Sequence, residues 1–290
     1  MADFRPSYSQ FIALIIRHGH LVPSGEDFNQ TRSETLKELL EFIPPDKKLT
    51  ISHSARKGII NKIIGQLAYV KKSFGTTGGH LTSKNLSYIR IPKSASTSMS
   101  REMLQHVYPA LKERTLTERQ INFLTDANLQ TENPGATIFT IVRNPFSRLV
   151  SVYRDFFEKP SGFIYTDYLL GVFSKEISFS EFVHRLALIP DWLKDQHIRP
   201  QHAFLQFYER KKLPIQIFHL EKQDNLKDFL AENSLQLPHL NKNADSYDYR
   251  LYYTAETLEK VRSVYATDVL KFGYENDYHE LKAFLKTVQK

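Results

Sequence analysis

The 290-residue chain contains no cysteine, one tryptophan, three methionines and eleven glycines. Without cysteine there can be no disulfide, thiolate metal site or thiol nucleophile, and a reducing compartment suits such a chain. No stretch approaches 18 consecutive apolar residues, so no transmembrane helix is expected; the apolar run at residues 11–16 is core-sized. The opening Met1-Ala2-Asp3-Phe4-Arg5-Pro6 lacks the basic-then-apolar layout of a signal peptide, and the expected location is cytoplasmic. Internal repeats and low-complexity segments are absent, as is a Lys/Arg block of the kind that forms a nucleic-acid arm. No group of residues has the spacing of metal ligands, so no metal is expected.

What the chain does have is apolar bulk and positive charge. A hydrophobic share of 41% with 12% aromatics supports a sizeable core and argues against wholesale disorder. The net charge of +7 calls for an anionic partner, and nucleic acid, a phosphorylated cofactor and an acidic polysaccharide all match that sign. Because the excess is spread along the chain, a small anionic ligand in a pocket fits better than nucleic acid.

Residues 1–80 read as a mostly helical N-terminal extension. Thr31 and Glu34 suit a capping box ahead of Leu36, Leu39, Leu40 and Ile43, and Pro44-Pro45 ends the pattern. A second helix is expected over residues 55–72, followed by the break Gly75-Thr76-Thr77-Gly78-Gly79. Residues 81–290 form the main domain. Strands are expected at residues 86–91, 137–142 and 215–220, with helices after each. A helix over 254–271 carries Leu258, Val261, Val264, Tyr265, Val269 and Phe272 on its inner side. Strands alternating with helices predict an α/β fold with a doubly wound parallel sheet, whose ligands bind beyond the carboxyl ends of the strands.

Two loops lie at such ends. The first, Ile91-Pro92-Lys93-Ser94-Ala95-Ser96-Thr97-Ser98, combines small residues, four hydroxyls and one lysine at a helix start, the makings of an anion cradle. Its lysine precedes the small residues and it has no glycine, so it is not a Walker A loop. The plainer reading is a Ser/Thr-rich turn capping a helix. In the second loop, Val142-Arg143-Asn144-Pro145, Arg143 follows a strongly apolar strand, where a guanidinium can grip a phosphate with two prongs. Asn144 and Pro145 start a helix whose apolar face is Phe146, Leu149, Val150 and Tyr153, with Ser147 and Ser151 on another side. Here the plainer reading is a surface arginine and a solvated serine.

Together the loops resemble the sulfotransferase superfamily, in particular its carbohydrate branch of heparan 2-O- and chondroitin-type enzymes. The first loop is similar to that family's 5′-phosphosulfate loop. The segment Val142-Arg143-Asn144-Pro145-Phe146-Ser147-Arg148-Leu149-Val150-Ser151-Val152-Tyr153 is similar to its 3′-phosphate loop. Asp195-Gln196-His197-Ile198-Arg199-Pro200-Gln201 resembles a third segment, with Ile198 in place of a tryptophan, and the similarity extends over residues 86–276. Lacking a membrane anchor and cysteines, the chain resembles a bacterial-type soluble member.

The resemblance implies a P-loop-like sheet flanked by helices and transfer of a sulfuryl group from 3′-phosphoadenosine-5′-phosphosulfate (PAPS) to a carbohydrate hydroxyl. The product is adenosine 3′,5′-bisphosphate (PAP), and no metal takes part. It implies that Lys93 meets the bridging oxygen and 5′-phosphate, helped by Ser94, Ala95, Ser96, Thr97 and Ser98. Arg143 and Ser151 then hold the 3′-phosphate, and Lys242, between Asn241 and Asn243, belongs to a basic lid. A general base is required, with His197 the first candidate and His202, His106 and His80 the others. Trp192 and the tyrosines at 247, 249, 252 and 253 offer faces for sugar stacking. Two other functions remain open, a P-loop-like kinase and a non-catalytic binder of anionic glycans. The Arg17-His18-Gly19 triplet matches three residues of histidine phosphatases but lacks that fold's other catalytic residues.

Overall fold

The computed structural model describes residues 80–130 except 84, 114 and 128, then 135–158, 177–189, 191, 194, 196–236 and 247–288. Residues 1–79 of the expected N-terminal extension, Trp192 and Lys242 lie outside the described residues, and His80 belongs to the first strand. The described part falls in two compact units, one from Arg154–Asp195 and the other from Thr76–Tyr153 with Gln196–Lys290.

The larger unit is built on a five-stranded sheet: β1 (His80–Thr82), β2 (Leu86–Ile89), β3 (Leu129–Gln130), β4 (Thr137–Val142) and β5 (Ile215–His219), in the order β3-β1-β2-β4-β5. β2, β4 and β5 run parallel, with Tyr88 opposite Phe139 and Val142 opposite His219. The Thr140 hydroxyl adds a bond to the Ile89 carbonyl at 2.9 Å. β1 is antiparallel to both β2 and β3. The sheet is therefore parallel only over three strands, where a wholly parallel one was expected. Strands of two and three residues are too short to show a hydrophobic period, which is why β1 and β3 escaped the sequence pattern.

Helices cover both faces, and the alternation of β4 shows how. Phe139 and Ile141 point to one side, where they pack with Met99, Met103 and Leu104 of α1 (Ser96–Val107), Ile121 of α2 (Glu118–Ala127) and a later helix through Leu226 and Leu230. Ile138 and Val142 point to the other, against Phe204, Leu205, Tyr208, Phe272 and Tyr274. Burial on both faces explains the unbroken run of apolar and β-branched residues in β4. Between β4 and β5 come α3 (Pro145–Tyr153), α4 (Phe179–Leu188) and α5 (Gln206–Arg210), and α6 (Gln223–Glu232) follows β5. α3 is buried nearly all round, its Phe146 ring meeting those of Tyr253 and Tyr278 at 6.1 and 6.3 Å.

The long C-terminal helix expected over 254–271 is two helices, α7 (Ala255–Val264) and α8 (Ala266–Lys271), separated at Tyr265. Thr254 and Thr257 cap α7 with reciprocal hydrogen bonds. Gly273, at φ +69°, turns the chain into a further helix, α9 (Glu275–Val288). In the smaller unit, Ser178 caps α4 by accepting from Glu181 N–H, and Phe157 packs against Phe182 with ring centroids 5.4 Å apart.

Candidate active site

Residues 90–95 connect β2 to α1, and residues 143–144 connect β4 to α3. As β2 and β4 are parallel neighbours, both loops leave the same edge of the sheet. That edge is where open α/β sheets bind ligands.

The first loop is conformationally unusual. Lys93 and Ala95, on either side of Ser94, both have left-handed backbones with φ of 67° and 58°. Each such residue costs roughly 1–2 kcal/mol without glycine's freedom, so the surroundings must hold the turn. Three groups do so. Arg148 Nε donates to the Pro92 carbonyl at 2.9 Å, Arg143 Nη1 donates to the Lys93 carbonyl at 3.2 Å, and Ser94 Oγ donates to Gln201 Oε1 at 3.2 Å. Ala95 is the N-cap of α1 and offers no side-chain cap. An α-helix has no internal acceptors for its first N–H groups, so those of Ser96, Thr97 and Ser98 form an uncapped positive end. The field at such an end favours negative charge. The hydroxyl proton of Ser94 is committed inward, and that of Thr97 goes to Glu118 Oε1 at 3.2 Å.

In the second loop Arg143 is fixed at several atoms. Its Nε donates to Ser147 Oγ at 2.9 Å, and Nη2 has no partner among the described residues. Asn144 caps α3 by accepting from the N–H groups of Phe146 and Ser147 at 2.9 and 3.2 Å. Its own N–H donates to Glu221 Oε1 at 2.7 Å and its amide to Asp277 Oδ1 at 2.8 Å. Ser151 is half-buried and lies four residues beyond Ser147, on the same stripe of α3.

The two loops meet at Gln201, in the short 3₁₀ turn Gln201–Phe204. Its Oε1 accepts from Arg143 N–H at 2.9 Å as well as from Ser94, and its Nε2 donates to the Arg143 carbonyl at 2.7 Å. Asp268 of α8 holds the base of that turn, accepting from Gln201 N–H at 2.6 Å and His202 N–H at 2.8 Å. Ser94, Gln201 and Asp268 are fully buried.

Against known proteins, a family model described as "Sulfotransferase family" matches residues 81–275, two thirds of the chain and both loops. The chain belongs to the sulfotransferase family. Searches of curated proteins and of solved structures find no match. Among the described residues no helix is long and apolar enough to cross a membrane. They also contain no cluster of three or more metal-ligating side chains.

The structure separates the sulfotransferase's histidines. His106 sits near the far end of α1, about 15 Å of helix from the first loop at 1.5 Å per residue. His80 is buried against Tyr208, its Nδ1 2.9 Å from the phenol oxygen, and burial pushes its pKa down. His197 is half-buried in a turn braced from below by Arg148, which donates to the Gln196 carbonyl at 3.2 Å and the Arg199 carbonyl at 2.8 Å. His202 Nδ1 lies 2.8 Å from Asp268 Oδ1. A carboxylate can only accept, so Nδ1 donates and Nε2 is the ring nitrogen that faces away from Asp268. Of the tyrosines proposed for stacking, Tyr253 is a core residue whose hydroxyl donates to the Phe146 carbonyl at 3.0 Å.

Arg148, Gln201 and Asp268 organise the site, yet the sequence pattern assigned them no role. Arg148 carries the clearest signal, a charge set between Phe146 and Leu149-Val150 in an otherwise apolar helix. Gln201 lies in the segment 195–201 that resembles the family, but the part it plays with Asp268 is a contact across 67 residues of chain.

Proposed function

We propose that this sulfotransferase moves the sulfuryl group of PAPS onto a hydroxyl of a carbohydrate acceptor. The observation that carries the proposal is the pair of anion-binding loops on adjacent parallel strands, joined through Gln201 and Arg143. Both loops fit the donor. The uncapped start of α1 suits a 5′-phosphosulfate, and the remaining Arg143 donor suits a 3′-phosphate, the group that separates this donor from ATP.

The reaction is an in-line displacement at sulfur. The acceptor oxygen forms a bond to sulfur as the bond from sulfur to the 5′-phosphate oxygen breaks, and PAP leaves with that electron pair. Lys93 neutralises the charge growing on the departing oxygen, together with the amides at the start of α1. Arg143 and Ser151 hold the 3′-phosphate, and Lys242 adds positive charge toward the donor. His197 takes the acceptor proton, with His202 as the second choice because Asp268 fixes its tautomer. The +7 charge suits an acidic glycan, and the cysteine-free composition suits the cytoplasm.

Calorimetry with PAP in the absence of Mg²⁺ tests the donor. Binding of PAP much tighter than of ATP supports the reading, and indifference to the 3′-phosphate refutes it in favour of a kinase-like site. Sulfate transfer across a panel of neutral and acidic glycans, with Lys93→Ala as control, then distinguishes an enzyme from a glycan-binding module. Loss of transfer in His197→Ala but not in His202→Ala assigns the base, and the reverse reassigns it.

A further inference from the structure

We infer that Gln201 is a positioning residue that sets the separation of the two anion-binding loops, so that one nucleotide is gripped by both of its phosphates at once. The inference rests on the nucleotide reading above.

The geometry is that of a side chain imitating a strand. Gln201 pairs with the main chain of Arg143 through two opposed bonds, N–H to Oε1 at 2.9 Å and Nε2 to the carbonyl at 2.7 Å. The same Oε1 takes the Ser94 hydroxyl at 3.2 Å, so both lone pairs of the amide oxygen are used. This amide orientation alone satisfies both main-chain groups, since reversal would set donor against donor and acceptor against acceptor. Asp268 fixes the Gln201 main chain at 2.6 Å, so the amide works from an immobile base. Neither loop can move relative to the other without breaking a bond to Gln201. A neutral side chain with both a donor and an acceptor is needed here: a carboxylate would put negative charge beside the anion cradle, and lysine or arginine has no acceptor.

A ligand with one phosphate needs one loop in place, whereas PAP needs both in register. The informative quantity is therefore the ratio of dissociation constants, adenosine 5′-monophosphate over PAP and adenosine 3′-monophosphate over PAP. Partial misfolding scales every apparent constant by the same competent fraction and cancels in the ratio. Calorimetry on the full chain is expected to show both ratios falling about tenfold in Gln201→Ala, in keeping with two or three lost hydrogen bonds. Ratios within twofold of wild type, whatever the melting temperature, overturn the inference. Gln201→Glu gives a second test that tolerates instability in the alanine variant. A protonated glutamic acid restores the donor and acceptor pair, so its ratios should approach those of wild type at pH 5 and fall away at pH 8, each compared at the same pH. Ratios that show no such recovery overturn it as well. A wild-type protein that fails to prefer PAP over either monophosphate instead refutes the nucleotide reading itself.

Discussion

Replacing Arg148 by methionine removes the charge under the first loop while nearly keeping its volume. The guanidinium is fully buried and donates to the carbonyls of Pro92, Arg199 and Gln196 at 2.9, 2.8 and 3.2 Å. Hydrogen bonds to a charged group are each worth roughly 1.5–3 kcal/mol, and the two short ones count most. Release of the buried guanidinium's desolvation cost offsets part of this, so the net loss is about 3 kcal/mol. For a domain of this size that corresponds to a fall in Tm of roughly 6–12 °C. Urea titration followed by circular dichroism measures the loss directly, provided that the m-value matches wild type. Binding of PAP should weaken as well, because the Pro92 carbonyl anchors the left-handed turn around Lys93. Arg148→Lys keeps the charge but not the planar fork, and its stability should lie between the two. An Arg148→Met protein within about 1 kcal/mol of wild type would refute the idea that this buried charge holds the loops.

Other perturbations have different signs. Burial pushes His80 below its ordinary 6.5, so once the pH drops below that value the unfolded chain binds a proton that the folded chain refuses. Stability should therefore fall between pH 7 and 5, and His80→Gln should flatten the slope of the urea midpoint against pH. His219, also pushed down by burial, with Tyr274, Glu221, Lys222 and Asp277 around it, adds to the same slope. Tyr88→Phe is expected to leave stability unchanged or raise it by up to about 1 kcal/mol, because the buried Tyr88 hydroxyl has no partner among the described residues. A loss larger than that in a thermal melt would show that the hydroxyl is satisfied. Asp268→Ala strips the acceptor from two main-chain N–H groups and His202, and should cost roughly 2–3 kcal/mol in the same urea assay.

By itself the sequence determined the frame of this protein and its family. The apolar run of residues 137–142 had to become a strand covered on both faces. Asn144-Pro145 had to start a helix. These are local effects of side-chain shape, hydrogen bonding and period, and they can be read within a dozen residues. Tertiary structure alone decided how the two loops are held. Gln201 reaches Ser94 and Arg143, which precede it by 107 and 58 residues, and Asp268 supports it from 67 residues further on. No local period encodes such contacts, because a buried hydrogen bond joins groups that folding alone brings together. The same holds for β1 and β3, whose two or three residues become strands only because a partner lies alongside. It holds too for Arg148, whose buried charge makes sense only beside the carbonyls that surround it.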